Sequence, residues 1–341
     1  MWRLFLTANK INVGIIGASG YTGLELTKML VHHETFNLNY IATSEGGMRL
    51  STLHPSLKDV YEADVQKADA KVVAQKCELV FLALPHKTAM VFVKELIALN
   101  VKVVDLSADY RLDLDTYEAY YCPHTDAANL DQAVYGLPEL NREAIKKASL
   151  IANPGCYPTA AILAAKPFMP YYVKGSPLVV DAKSGVSGAG KKLSDLTHYV
   201  SINENILAYN PMAHRHGPEI AEKLEIEGDD VNFVPHLIPI TRGMLDSVYM
   251  QTEGDFDAIA VLKAYYKEEP FVRVRETPVD VKSVSGTNFC DIYVKQKGNF
   301  LFISSAIDNL LRGASSQALV NANLMMGLEE NSGVPDIAYV P

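Results

Sequence analysis

Cys156 lies in Asn153-Pro154-Gly155-Cys156-Tyr157-Pro158-Thr159, between the apolar run SLIA and the helix-like PTAAILAAK. Pro158 suits the first turn of a helix, where no backbone N–H is needed, so Cys156 is predicted at or just before a helix N-terminus. Partial positive charge there favours thiolate over thiol and is expected to draw the pKa below the free value of ~8.5. A thiolate in that position can attack a carbonyl and carry an acyl group. The plainer alternative is a small buried thiol between two turns. A cysteine nucleophile also needs a proton partner. Among nine histidines, only the run His214-Arg215-His216-Gly217-Pro218-Glu219 joins two imidazoles to a guanidinium and a carboxylate, just before the helix-like PEIAEKL. A carboxylate can orient an imidazole beside a nucleophile. An H-x-H pair can also hold a metal, but no third ligand set is recognisable, and no metal is expected.

The second chemical signal is Gly17-Ala18-Ser19-Gly20-Tyr21-Thr22-Gly23, which follows the apolar INVGII and opens the pattern YTGLELTKMLVHH. Glycines between a buried strand and a helix permit a tight turn, let pyrophosphate approach the backbone, and set its charge at a helix N-terminus. A glycine turn needed only for packing is the alternative. The next apolar run, NLNYIATS, ends at Ser44, where an NAD-binding protein would put an acidic residue against the ribose hydroxyls. A hydroxyl there with Arg49 nearby suits a 2′-phosphate and points to NADP, although Glu45 could serve as a displaced ribose carboxylate.

These residues need a scaffold. The first half alternates short apolar runs (11–17, 37–44, 77–85, 101–107) with helical patterns (from Tyr21, and 88–100), which predicts a Rossmann-type parallel sheet covered on both faces. The second half is strand-rich, with a predicted hairpin around Lys297-Gly298-Asn299, and is read as an α+β domain with a mainly antiparallel sheet. The change of pattern puts a boundary near residue 150, giving a nucleotide-binding domain over 1–150 and a catalytic domain over 151–308. A last helix begins near Asn309, with Asp308 as its expected N-cap and Gly327 as its stop.

Composition removes several function classes. The 341 residues exceed the ~250–300 that one core usually serves, so two domains are expected. Hydrophobic residues make up 48 % and charged residues 21 %, with a net charge of −9. An acidic balance without a basic stripe argues against nucleic-acid binding. No uncharged apolar run approaches the ~20 residues that span a bilayer, and MWRLFLTANK is too short for a secretory signal. A cytoplasmic location is expected. Four cysteines without C-x-x-C spacing exclude a disulfide scaffold or zinc ribbon; Cys77 and Cys290 sit in core-like runs, and Cys122 is ambiguous.

The motifs GASGYTG, ALPH (83–86), DLSADYR (105–111), NPGCYPT, KSGVSGAGK (183–191), HRHGPEI and HLIPITRG (236–243) occur in this order. Together, from about residue 11 to about 328, they resemble N-acetyl-γ-glutamyl-phosphate reductase of arginine biosynthesis, a relative of aspartate-semialdehyde dehydrogenase. The resemblance implies NADPH-dependent reduction of N-acetylglutamyl phosphate to the semialdehyde through a cysteine thioester. It implies that the C-terminal helix, 309–341, completes the first domain and that the chain forms a homodimer or homotetramer. It carries over Cys156 as nucleophile and His214 as acid/base, with His216 and Glu219 as orienting partners. Arg111 would face the substrate phosphate, and Gly17 through Gly23 the cofactor pyrophosphate. Ser44 and Arg49 would lie near the adenosine ribose, and Ser184, Gly185 and Asn309 near the nicotinamide. Arg312 departs from the lysine expected there, keeping charge but not geometry. Two other readings stay open: a lysine-pathway reductase of an aminoadipyl phosphate, and a non-catalytic NADP-sensing regulator that would not need Cys156, His214 and Arg111.

Overall fold

The computed structural model describes residues 10–339; the MWRLFLTAN start and the last two residues lie outside the described part. Strands β1 (Ile11–Ile16), β2 (Phe36–Thr43), β3 (Met48–Arg49), β4 (Asp64–Lys67), β5 (Leu79–Leu82), β6 (Lys102–Asp105), β7 (Val134–Tyr135) and β8 (Leu150–Ala152) form one sheet in the order β3-β4-β2-β1-β5-β6-β8-β7. All its pairings are parallel except β3 with β4. Near-continuous apolar strands demand cover on both faces. Helix Tyr21–Val31 and the late helix Ser315–Met325 pack on each other on one side, and Ala70–Lys76 packs with Ala89–Ala98. Strand order reverses beside β1. The crevice at the carboxyl ends of β1 and β5 is therefore where such a sheet receives a ligand.

Strands β9 (Leu178–Gly185), β10 (Leu207–Ala208), β11 (Val231–Ile238), β12 (Met244–Gln251), β13 (Val272–Val274), β14 (Cys290–Lys297) and β15 (Phe300–Ile307) form the second sheet, ordered β10-β11-β9-β12-β15-β14-β13. It is antiparallel except that β9 pairs with β11, and β13 with β14, in parallel. The predicted hairpin joins β14 to β15, with Gly298 at φ +60 in its turn. Burial alternates strictly along β11. One face of the sheet packs on helices Cys156–Ala165, His216–Leu224 and Ala258–Tyr265; the other is only partly buried at Val179, Val234, Tyr249 and Phe302.

β8 runs to Ala152, so the change of sheet falls just past the expected boundary at 150. The apolar run SLIA pairs with β6, which keeps it in the first sheet. The last helix starts six residues later than the sequence suggests. Asp308 Oδ1 accepts from the N–H groups of Leu310 and Leu311, capping a tight turn instead of the helix, which begins at Ser315. Every residue from Ser315 to Met325 is buried, including Gln317, Asn321 and Asn323.

Candidate active site

Parallel strands deliver their following loops to one edge, and the chemistry-bearing loops emerge there. The glycine loop follows β1, His86 follows β5, Arg111 follows β6 and Cys156 follows β8. Gly17 has φ +96, and a Cβ on it would stand 2.2 Å from the Ala83 carbonyl oxygen, so only glycine fits where β1 turns against the loop after β5. Ala18 and Gly23 are buried while Ser19 and Tyr21 are exposed, which leaves the N-terminus of helix Tyr21–Val31 open. Thr22 lends its carbonyl to Ser315 Oγ at 3.1 Å. His54, unremarkable in the sequence, supports this loop by donating from Nε2 to the Ala18 carbonyl at 2.7 Å. Both the glycine cradle and the open helix end fit a dinucleotide pyrophosphate.

Cys156 is the first residue of helix Cys156–Ala165, with Gly155 as N-cap. The helix start is as predicted; the protonation is not. Burial pushes the thiol up to about 12, and only partly do the Tyr157 backbone N–H and the Arg111 charge pull it back. The helix end is thus outweighed by desolvation.

Gly155 is the closest meeting point. A Cβ there would stand 2.8 Å from His216 Nε2 and 3.0 Å from Arg111 Nη1. His216 is accordingly held beside the cysteine loop. Its Nδ1 is buried without a hydrogen-bond partner among the described residues, and burial, then His214 and Arg111, lower its pKa well below the usual value. His214 sits one ring further away, in a box formed by Tyr157, Tyr209, Phe233 and His216 at centroid distances of 4.8–6.0 Å. Its Nδ1 accepts from the His216 backbone N–H at 3.1 Å, and burial pushes its pKa down to about 4.

Among the described residues Glu219 has no hydrogen bond to either imidazole. One turn into helix His216–Leu224, it points inward, where Oε1 accepts from Gly155 N–H and Tyr135 Oη, both at 2.9 Å, and Oε2 pairs with Arg111 Nη1 at 3.4 Å. Arg111 is buried, and its Nε and Nη2 donate to the carbonyls of Asn153 (2.7 Å) and Leu106 (2.9 Å). It braces the cysteine loop, and its charge is balanced by Glu219. His86, quoted in a motif but given no role, joins this cluster. Its Nδ1 accepts from Ala108 N–H, and burial with the Arg111 charge pushes its pKa down to about 3. Its position just past an apolar strand run was the available signal.

On the other side of Cys156, a Cβ on Gly313 would lie 2.6 Å from the Cys156 Cβ. Gly313 belongs to the same turn as Asn309, whose Oδ1 accepts from Gly243 N–H (2.7 Å) and whose Nδ2 donates to Ser187 Oγ (3.0 Å). Ser184 Oγ points at the Gly185 carbonyl under Gly188. Ser184, Gly185 and Asn309 thus come together. A cleft of about 580 Å³ opens beside them, lined by Tyr21, Glu25, Ser187, Arg242 and Leu310. It joins the glycine-loop helix to the second domain. Ser44 is exposed at the carboxyl end of β2, whereas Arg49 is held by Asp64 at 2.7 Å and Glu62 at 3.5 Å. Arg312 is fully buried and pairs with Glu139. Among the described residues, no group of three His, Cys, Asp or Glu side chains could hold a metal ion.

Residues 12–148 match the semialdehyde dehydrogenase NAD binding domain and residues 156–309 the semialdehyde dehydrogenase dimerisation domain. N-acetyl-gamma-glutamyl-phosphate reductase of Sulfurimonas denitrificans is 65 % identical, over 97 % of this chain and 99 % of its own. The protein of that name from Methanocaldococcus jannaschii is 43 % identical, over 96 % and 99 %. Among solved structures, aspartate semialdehyde dehydrogenase II from Vibrio cholerae superposes with a TM-score of 0.72 at 17 % identity, covering 94 % of this chain and 99 % of its own. The Candida albicans enzyme solved with NADP superposes with a TM-score of 0.68 at 13 % identity, over 93 % and 99 %. These two show the shared fold.

Proposed function

The chain belongs to the N-acetyl-γ-glutamyl-phosphate reductase family, and from that premise we infer that it reduces N-acetylglutamyl phosphate to N-acetylglutamate semialdehyde and phosphate. The observation that carries this reading is Cys156 at a helix start, with His216 Nε2 and Arg111 Nη1 converging on Gly155 beside it, at the strand edge that bears the glycine loop.

Cys156 is a thiol at rest and His216 a neutral imidazole, so His216 takes the proton as sulfur attacks. The S–C bond forms, the C–O bond to phosphate breaks, and phosphate leaves with the electron pair. A thioester remains on Cys156. The hydride that reduces this carbonyl carbon would come from a nicotinamide nucleotide bound in the cleft beside Ser184, Gly185 and Asn309. The C–S bond of the resulting hemithioacetal then breaks, releasing the aldehyde and returning the thiol its proton. In this reading His216 moves the proton, and His214 fixes the turn that aims it. Arg111 and Glu219 hold the cysteine loop by opposite charges, and Ser184, Gly185 and Asn309 shape the nicotinamide end of the cleft.

NADP is the proposed cofactor, supported by Ser44 at the end of β2 with no acidic residue in its place. Arg49 shares its charge with two carboxylates and is a weaker candidate for the 2′-phosphate than its sequence position suggests. The partly buried face of the second sheet, where Val179, Val234, Tyr249 and Phe302 lie among polar neighbours in a segment matching a dimerisation domain, supports a homodimer or homotetramer. Among the described residues no helix is long and apolar enough to cross a membrane, and a cytoplasmic enzyme is proposed. The test is the reverse reaction with phosphate, NADP or NAD, and the semialdehydes of N-acetylglutamate, aminoadipate and aspartate. The N-acetylglutamate compound with NADP should be fastest; a faster rate with either other aldehyde would overturn the substrate assignment.

A further inference from the structure

The proposed substrate carries two anionic groups, a phosphate at the reacting carbon and an α-carboxylate at the far end of the acyl chain. Arg111 is the cation nearest the cysteine loop, but Glu219 already balances it and two carbonyls take its other donors. Arg215 differs in each respect. It is exposed at the N-cap of helix His216–Leu224, and among the described residues it makes no ion pair with a carboxylate. Its guanidinium lies 4.8 Å over the ring of Tyr121. Tyr121 is itself fixed by parallel stacking on Tyr117 at 4.9 Å and by the edge of His86 at 5.6 Å. Arg215 stands between His214 and His216 in the chain, and the Tyr121 ring beneath it meets the edge of His86, so it lies at the outer rim of the same site. A guanidinium stacked on an aromatic ring keeps its N–H fork free and aimed, which suits planar bidentate recognition of a carboxylate.

We propose that Arg215, seated on Tyr121, binds the α-carboxylate of the acyl substrate and so selects a 2-acylamino acid over a simple acyl phosphate. The assignment follows from position: His216 and Arg111 flank the reacting end beside Cys156, and the unpaired guanidinium stands at the rim where the distal end must lie. It rests on the acyl-phosphate reading above.

The experiment uses the reverse reaction of the whole enzyme. kcat/KM is measured for N-acetylglutamate semialdehyde and for the same aldehyde lacking its α-carboxylate, together with KM for phosphate. Arg215→Ala should lower kcat/KM for the carboxylate substrate roughly 10- to 100-fold, the range of a lost charge-assisted hydrogen bond, and leave the truncated aldehyde and the phosphate KM within about twofold. Arg215→Lys should recover only part of the discrimination. Lys87→Ala, which removes an exposed cation beside His86, should leave it intact. Nucleotide binding by fluorescence and the Tm should match wild type, since Arg215 is at the surface. Discrimination preserved in Arg215→Ala, a raised phosphate KM in its place, or an equal loss in Lys87→Ala would each overturn the inference. A wild-type protein with no turnover of the carboxylate aldehyde would overturn the functional reading, and this inference with it.

Discussion

In the proposed reaction Cys156 and the two histidines carry the chemistry, and burial is the largest cause shifting the pKa of all three. Because the thiol is pushed up to about 12 in the free protein, iodoacetamide labelling of Cys156 should speed up steadily from about pH 6 to about pH 9. A rate already flat near neutrality would show a resting thiolate and make His216 unnecessary as a base. The family resemblance implies proton transfer by His214, whereas His216 Nε2 is the ring atom that a Cβ on Gly155 would approach, at 2.8 Å. His216→Ala should therefore lower kcat ~10²–10⁴-fold, the usual contribution of a general acid–base group, and His214→Ala distinctly less. Single-turnover formation of the thioester would check this; the opposite order would return the role to His214. Nothing in the string HRHGPEI ranks two imidazoles one residue apart. Their order depends on how far the following helix swings each ring toward Cys156.

At the scale of elements, helix Ser315–Met325 ties three parts of the site together. Its Asn321 Nδ2 donates to the Gly136 carbonyl at 2.8 Å and to Asn153 Oδ1 at 3.0 Å, while Asn153 Nδ2 donates to the Ala314 carbonyl at 3.1 Å. Ser315 reaches the glycine loop at Thr22, and Ser316 reaches Asn288 of the second domain at 2.6 Å. Buried polar groups of this kind cost about 1–3 kcal/mol when one partner is removed. Asn321→Ala should lose about that much stability in urea unfolding, and kcat should fall through misplacement of the Asn153–Cys156 loop. An unchanged kcat in the folded variant would show that the helix serves stability alone. The sequence marks this segment as a last helix, and the resemblance implies that it completes the first domain, but nothing in the string points Asn321 at Asn153 and Gly136. Its polar residues are buried because the first domain closes around it.

At the scale of the whole molecule, the second sheet contains a buried carboxylate with no hydrogen-bond partner among the described residues. Asp246 on β12 is fully buried, and neither side-chain oxygen has a hydrogen bond among the described residues. Desolvation, with Asp181 adding to it and Lys183 opposing, holds its carboxyl well above the ordinary range. An unfolded chain gives up this proton near pH ~4, while the folded protein keeps it to higher pH. The folded state binds the extra proton, so its stability falls as pH rises from ~4 toward the folded pKa. Asp246→Asn removes that liability. Its Tm should exceed wild type at neutral pH by about 1–2 °C for each kcal/mol recovered, with the gap closing as pH approaches ~4. A gap that stays constant with pH would mean that Asp246 is ionised and paired in solution.

The division between sequence and tertiary structure follows from the range of the forces involved. Strand runs, the glycine loop, the β14–β15 hairpin and the helix start at Cys156 are encoded within a few residues, by hydrophobic period, by φ preference and by the absence of a proline N–H. All of these were legible in the chain, and the family motifs added the reaction. The partner of Glu219, the neutralisation of Arg111 and Arg49, the order of His214 and His216, and the raised pKa of Cys156 depend on groups tens to hundreds of residues apart. Arg111 and Glu219 are separated by 108 positions, and their pairing exists only because β6 and the helix after His216 meet beside Gly155. Charge and desolvation act through space, so the protonation state of this site was decided by the tertiary structure alone.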